Sequence, residues 1–177
     1  MKGFVGIMRK SGVLLPVSSI PSPYGIGAFS KEAYAFIDLL EKAGQSYWQI
    51  LPLGPTGYGD SPYQSFSTFA GNPYYIDLEA LIEEGYLTKA ECEQYDFGDD
   101  AVYVDYEKIY LSRFKVLRKA YQNSHIEEDQ AYQKFVEENA YWLKDYALYM
   151  AVKNSFGGKS WSEWDEDIRL RKPAAIE

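Results

Sequence analysis

The residues Tyr58-Gly59-Asp60-Ser61-Pro62-Tyr63-Gln64-Ser65 carry the side chains of this chain best suited to chemistry. Gly57 and Gly59 permit backbone angles closed to other residues, and Pro62 fixes one torsion. A segment so constrained loses little entropy when it binds. Tyr58 and Tyr63 offer rings that can stack on a flat apolar face, while Ser61, Gln64 and Ser65 offer groups that bond hydroxyls. A sugar has both an apolar C–H face and an edge of hydroxyls, and amphipathic aromatics suit it. The competing arrangement is an Ω-loop whose aromatics pack inward. Asp60 is the acid best placed for catalysis. Glycosidic chemistry normally needs two carboxylates, about 5–5.5 Å apart in retaining enzymes, and the loop offers no second one. Asp77, Glu79, Glu83 and Glu84 read as a helix cap and a helix face. Asp60 therefore reads as a binding or turn-forming residue rather than a nucleophile.

Other chemistry-bearing residues are less promising. His125 is the single histidine and lies in a polar turn, so exposed and inert is its expected state. Cys92 sits in a helix and has no partner cysteine in the chain, which excludes an internal disulfide and a Cys/His metal site. Gly25-Ile26-Gly27 lacks the third glycine of a dinucleotide fingerprint and the lysine of a phosphate loop. Asp165-Glu166-Asp167 lacks metal-loop spacing and reads as a solvated turn. Trp161 and Trp164 bracket a polar turn and are expected to pack on the preceding helix.

The elements that must position the Tyr58–Ser65 loop follow from pattern. Ser11 to Val17 is an apolar run suited to a first strand. Ser18 to Phe29 is a loop broken by Pro21, Pro23, Gly25 and Gly27. Ser30 is a good N-cap for the helix KEAYAFIDLLEKA, closed by Gly44. Tyr47, Trp48, Ile50, Leu51 and Leu53 suit a second strand buried on both faces, ending near Pro52. Strand, helix, strand implies a parallel βαβ pair with a right-handed crossover. Beyond the loop, Asp77 caps a short helix ended by Gly85, and Thr88 with Glu91 forms a capping box. Tyr106, Ile109, Tyr110, Phe114, Leu117 and Tyr121 mark a long amphipathic helix. Tyr132 to Met150 marks another, running to Gly157-Gly158.

Composition bounds the partners. Of 177 residues, 46% are hydrophobic, enough for a core, and 17 tyrosines outnumber 9 phenylalanines, a tilt toward rings with a polar handle. A net charge of −8 argues against nucleic acid and against an anionic membrane surface. The opening MKGFVGIMRKSG lacks the apolar core of a secretory leader, and a soluble, cytoplasmic protein is expected. Two parallel strands alone bury too little, so the expected alternatives are a small α+β protein, a subunit of a larger sheet, or a piece of a longer enzyme.

SGVLLPVSSIPSPYGIGAF, SYWQILPLGPTGYGDSPYQSFSTFAGNPYYIDL and WLKDYALYMAVKNSFGGKSWSEW together resemble the amino-terminal third of the amylomaltases, the 4-α-glucanotransferases or disproportionating enzymes. The resemblance runs from about Arg9 to Arg171, and PLGPTGYGDSPYQSFSTFAGNPY is its most specific part. It implies an α/β fold, the start of a (β/α)8 TIM barrel with its first two strands and a helical insertion, the barrel incomplete because a whole one needs roughly 250 residues. Residues 1–76 would be the first βαβ part of the catalytic barrel, with the substrate-binding loop at 54–74. Residues 77–177 would be a mostly helical insertion, cut short at its C-terminal end. The implied reaction moves α-1,4-glucan segments between maltooligosaccharides by a retaining double displacement, without a cofactor. The family's catalytic acids would lie beyond this chain, so no catalytic residue is carried over and the piece alone would be inactive. Tyr63 corresponds to the tyrosine that stacks on the sugar at the cleavage point and Ser61 to a serine lining the same place. Tyr58 corresponds to an aromatic that helps form a secondary glucan-binding spot in some members. The alternative is a stand-alone, non-catalytic glucan-binding module.

Overall fold

The computed structural model describes residues 9–176. The opening MKGFVGIM, on which the expectation of no secretory leader rests, lies outside them. The described chain divides into two compact units, one ending at His125 and one beginning at Ile126.

In the first unit β1 (Gly12–Leu14) pairs parallel with β2 (Tyr47–Gln49), Val13 opposite Trp48. The connection is α1 (Lys31–Lys42), so the βαβ unit forms as expected. Ser30 is its N-cap, but its hydroxyl donates to the Glu32 carboxylate at 2.7 Å instead of accepting from the helix. Gly44 closes the helix at φ +66°, a left-handed position that glycine takes without strain. Phe36 of α1 meets Trp48 of β2 edge to face at 5.2 Å, and Trp48 Nε1 donates to the Leu15 carbonyl at 2.8 Å. Both strands are shorter than their apolar runs. The expectation that β2 is buried on both faces is not met: Tyr47 is 57% exposed, as is Leu14 at 56% on β1. Two short strands with a single helix cannot cover two sheet faces.

The core of this unit lies away from the sheet. Tyr24 and Ile26 from the loop after β1 pack with Tyr74, with Leu78 of α2 (Leu78–Glu83), with Cys92 of α3 (Lys89–Cys92), and with Ile109 and Val116 of α4 (Tyr106–Ser124). Local signals set these helices. The Asp77 carboxylate accepts from the Glu79 amide, and the Thr88–Glu91 capping box is complete. The Gly25-Ile26-Gly27 pair of glycines serves packing. A Cβ on Gly25 would stand 1.9 Å from the Phe97 carbonyl oxygen, and one on Gly27 would stand 2.0 Å from that of Val17.

The amphipathic stripe of α4 differs from the expected one. Ile109, Ser112, Arg113, Val116 and Ala120 are buried, whereas Tyr110, Phe114 and Tyr121 are exposed. The buried face is therefore rotated by roughly one residue, placing a fully buried arginine in the core. His125 ends α4 in a left-handed conformation at φ 48° and is exposed, as expected.

In the second unit the single expected helix is two, α5 (Gln130–Glu138) and α6 (Ala140–Ser155). Asn139 ends one and starts the other. Its Nδ2 donates to the Phe135 carbonyl at 2.9 Å and its Oδ1 accepts from Trp142 Nε1 at 2.9 Å. An asparagine side chain bonding locally competes with helix continuity. Trp164 is buried, stacked on Phe156 at 5.9 Å beside Tyr149, so it packs on the preceding helix as expected, while Trp161 is exposed. Asp165-Glu166-Asp167 opens a short helix, α7 (Glu166–Arg169), rather than a turn. A final turn of helix, α8, spans Pro173–Ile176. Among the described residues no helix is long and apolar enough to cross a membrane.

Candidate functional site

The segment between Leu53 and Asn72 is closed at its neck, where the Asn72 amide donates to the Leu53 carbonyl at 2.8 Å. Asn72 is buried and its Oδ1 caps the following 3-10 turn, Pro73–Tyr75, by accepting from the Tyr74 amide. Inside the neck the chain is tied turn by turn. The Asp60 amide donates to the Gly57 carbonyl at 3.1 Å, and Gly59 at φ +89° supplies the positive angle that a type II turn needs. Asp60 is itself at φ 52°. The next turn, with Pro62 at its second position, joins the Gln64 amide to the Ser61 carbonyl at 3.1 Å.

The return arm is held by serine hydroxyls. Ser65 Oγ donates to the Ser67 carbonyl at 2.8 Å and accepts from the Ser67 amide, and Ser67 Oγ accepts from the amides of Phe69 and Ala70. The Ser65 hydroxyl, expected among the ligand contacts, is thus engaged within the loop. The two arms meet at Gly54, where a Cβ would stand 2.4 Å from Ser65 Oγ. In the 20-residue segment from Leu53 to Asn72 only Pro55 and Asn72 are buried.

Its aromatics do not pack inward. Tyr58 is fully exposed and Tyr63 is 73% exposed, with Phe66 and Phe69 exposed beside them. Ser61 is half-buried and Gln64 exposed. A rigid backbone presenting rings and polar side chains to solvent is the arrangement that binds an amphipathic ligand with little loss of entropy.

Asp60 is half-buried. Burial raises its carboxyl above the usual carboxylate range, and the Thr56 hydroxyl partly opposes that rise. Its charge reaches the phenols of Tyr74 and Tyr106. Burial first, then Asp60, pushes Tyr74 up to about 12 and raises Tyr106 in the same direction. Asp60 is thus near enough to both tyrosines for its charge to act on their phenols.

Tyr74, Tyr106 and Phe114 form an aromatic group that the sequence pattern does not reveal. Tyr74 lies 5.7 Å from Phe114 and 6.5 Å from Tyr106, ring to ring. Arg113, with no exposed surface, donates from Nη2 to the carbonyls of Tyr74, at 2.9 Å, and of Ile76. Burial lowers this guanidinium to about 10, with Asp77 acting in the opposite sense. Glu79, expected on a helix face, accepts from the Tyr24 hydroxyl at 2.6 Å. Cys92 is fully buried and its thiol is pushed up by burial, so it is packed rather than reactive. Among the described residues no group of three or more His, Cys, Asp or Glu gathers to hold a metal.

Comparison with known proteins identifies the family. The family described as 4-alpha-glucanotransferase matches residues 15–177. The chain belongs to the 4-alpha-glucanotransferase family. Over 161 residues it is 54% identical to the 4-alpha-glucanotransferase of Clostridium butyricum, covering 91% of this chain and 33% of that protein. That of Thermus thermophilus is 46% identical over 172 residues, covering 95% and 33%. In three dimensions the chain superposes on amylomaltase from Streptococcus agalactiae, solved in complex with acarbose, with a TM-score of 0.87 and 43% identity. That match covers 96% of this chain and 34% of that one. The chain thus spans about a third of the length of the 4-alpha-glucanotransferases it matches.

Proposed function

We propose that this chain forms the sugar-contacting part of a 4-α-glucanotransferase that transfers α-1,4-glucan segments between maltooligosaccharides, the loop 54–74 being one wall of its cleft. The supporting observation is the exposure of Tyr58 and Tyr63 on a loop whose backbone is locked from Leu53 to Asn72. In this reading Tyr63 stacks on the sugar at the cleavage point, Ser61 bonds a hydroxyl there, and Tyr58 holds glucan further out. The relative solved with acarbose makes a glucan-like ligand the natural choice of probe.

The reaction is a retaining double displacement: a carboxylate displaces one glucan segment, which leaves protonated, to form a glycosyl-enzyme, and an acceptor sugar hydroxyl then gives up its proton and displaces the carboxylate. No residue of this chain is assigned as nucleophile or acid. Asp60 is read as a loop-shaping residue, since it sits at φ 52° in the Gly57–Asp60 turn and the loop offers no second carboxylate beside it. Residues 1–76 are read as the start of a (β/α)8 barrel and 77–177 as a helical insertion. The exposed apolar side chains of Leu14 and Tyr47 favour this over a stand-alone binding module, since a barrel's remaining strands and helices would cover them.

Calorimetric titration with maltoheptaose tests the reading. Tyr63→Ala is expected to weaken binding about tenfold, or ~1.4 kcal/mol. Unchanged affinity, or no binding by the unaltered chain, would sink it. Incubation with maltotriose should yield no longer or shorter products. Disproportionation by the chain alone would contradict placing the catalytic acids outside these residues.

A further inference from the structure

We infer that Arg113 is a positioning residue for glucan binding: it sets the height and tilt of the 54–72 loop by holding the backbone on which that loop returns. The inference rests on the proposed sugar-contacting role of the loop. Arg113 lies 37 and 39 residues along the chain from its two acceptors, the carbonyls of Ile76 and Tyr74. Those carbonyls follow directly on Asn72, whose amide closes the loop neck on Leu53 and whose side chain caps Tyr74. One guanidinium nitrogen therefore fixes the exit of the loop to α4.

Packing alone does not account for an arginine here. The side chain is wholly buried, and among the described residues Nε and Nη1 have no acceptor. A buried ion is often no better for stability than an apolar side chain of similar volume, whereas a directional pair of bonds fixes geometry. Methionine would fill most of the same space without desolvating a charge. What methionine cannot do is grip two carbonyls. The Tyr74 ring lies 5.7 Å from Phe114 of the same helix, a second tie between the loop exit and α4. Small misplacements of a binding group can lose much of its affinity.

A double-mutant cycle on maltoheptaose binding decides the matter, using the whole chain and circular dichroism to confirm folding. Arg113→Met is expected to weaken binding about tenfold in the unaltered background, and by about threefold or less when Tyr63→Ala is already present. Arg113→Lys, which keeps the charge and a donor, should recover part of the loss. It decides alone if the Met variant does not fold, an intermediate loss supporting the inference and no loss overturning it. An equal effect of Arg113→Met in both backgrounds, or none, overturns a role exerted through the loop. If Tyr63→Ala itself leaves affinity unchanged, the sugar-contact reading fails and this inference falls with it.

Discussion

Gly54 and Ser65 touch so closely that no side chain fits between them: a Cβ on Gly54 would stand 2.4 Å from Ser65 Oγ and 2.9 Å from its Cβ. This contact joins the outgoing and returning arms of the loop. Gly54→Ala should push the arms apart at a cost of about 1–3 kcal/mol, and most of the strain falls on a surface loop rather than on the core. The expected outcome is a urea midpoint lowered by that cost, together with weakened maltoheptaose binding. Full affinity in the variant would show that arm contact does not shape the binding surface.

The glycine at position 25 is needed for a different reason. It sits at φ +72°, and a Cβ would meet the Phe97 carbonyl oxygen at 1.9 Å. Backbone strain and overpacking act together in Gly25→Ala, and a loss of about 3 kcal/mol or more is expected. Urea unfolding measures it. A loss below about 1 kcal/mol would mean that the loop after β1 can lift off the Phe97 backbone without penalty.

Alkaline pH probes the buried phenols. Burial and the neighbouring Glu79 raise Tyr24, and burial with Asp60 raises Tyr74 to about 12. Between about pH 10 and 12 the unfolded chain gives up these protons while the folded chain keeps them, so stability falls as pH rises. Arg113 acts oppositely. Lowered to about 10, it sheds its proton in the folded state first, which favours folding as pH rises. The two phenols outweigh one guanidinium, so the urea midpoint should drop between about pH 9 and pH 11. Tyr24→Phe should flatten that drop and Arg113→Met should steepen it. A midpoint that does not move with pH would mean that these phenols titrate as if exposed.

Local signals were legible and long-range ones were not. Asp77, the Thr88–Glu91 capping box and Gly44 act within a few residues, and each stands where its pattern placed it. The exposed aromatics of the loop were legible as a surface because Gly57, Gly59 and Pro62 announce a backbone too constrained for helix or strand. Arg113 was not legible. Its helix carries Tyr110, Phe114 and Tyr121 in a stripe that competes with Ile109, Val116 and Ala120, and the partners Tyr74 and Leu78 decide which side is buried. The break at Asn139 was hidden because the apolar period continues through it, and only the bonds to Phe135 and Trp142 reveal the stop. Tyr47 looked like a residue of a covered strand. It is exposed because coverage is a property of the whole sheet, and two strands cannot supply it.

The most direct test of the central claim is a crystal structure of the chain soaked with maltoheptaose. A glucose ring is expected on the face of Tyr63 at van der Waals distance, about 4 Å, with a sugar hydroxyl bonded to Ser61. Sugar bound elsewhere on the chain with Tyr63 and Ser61 bare, or no ordered sugar at saturating concentration, would contradict it.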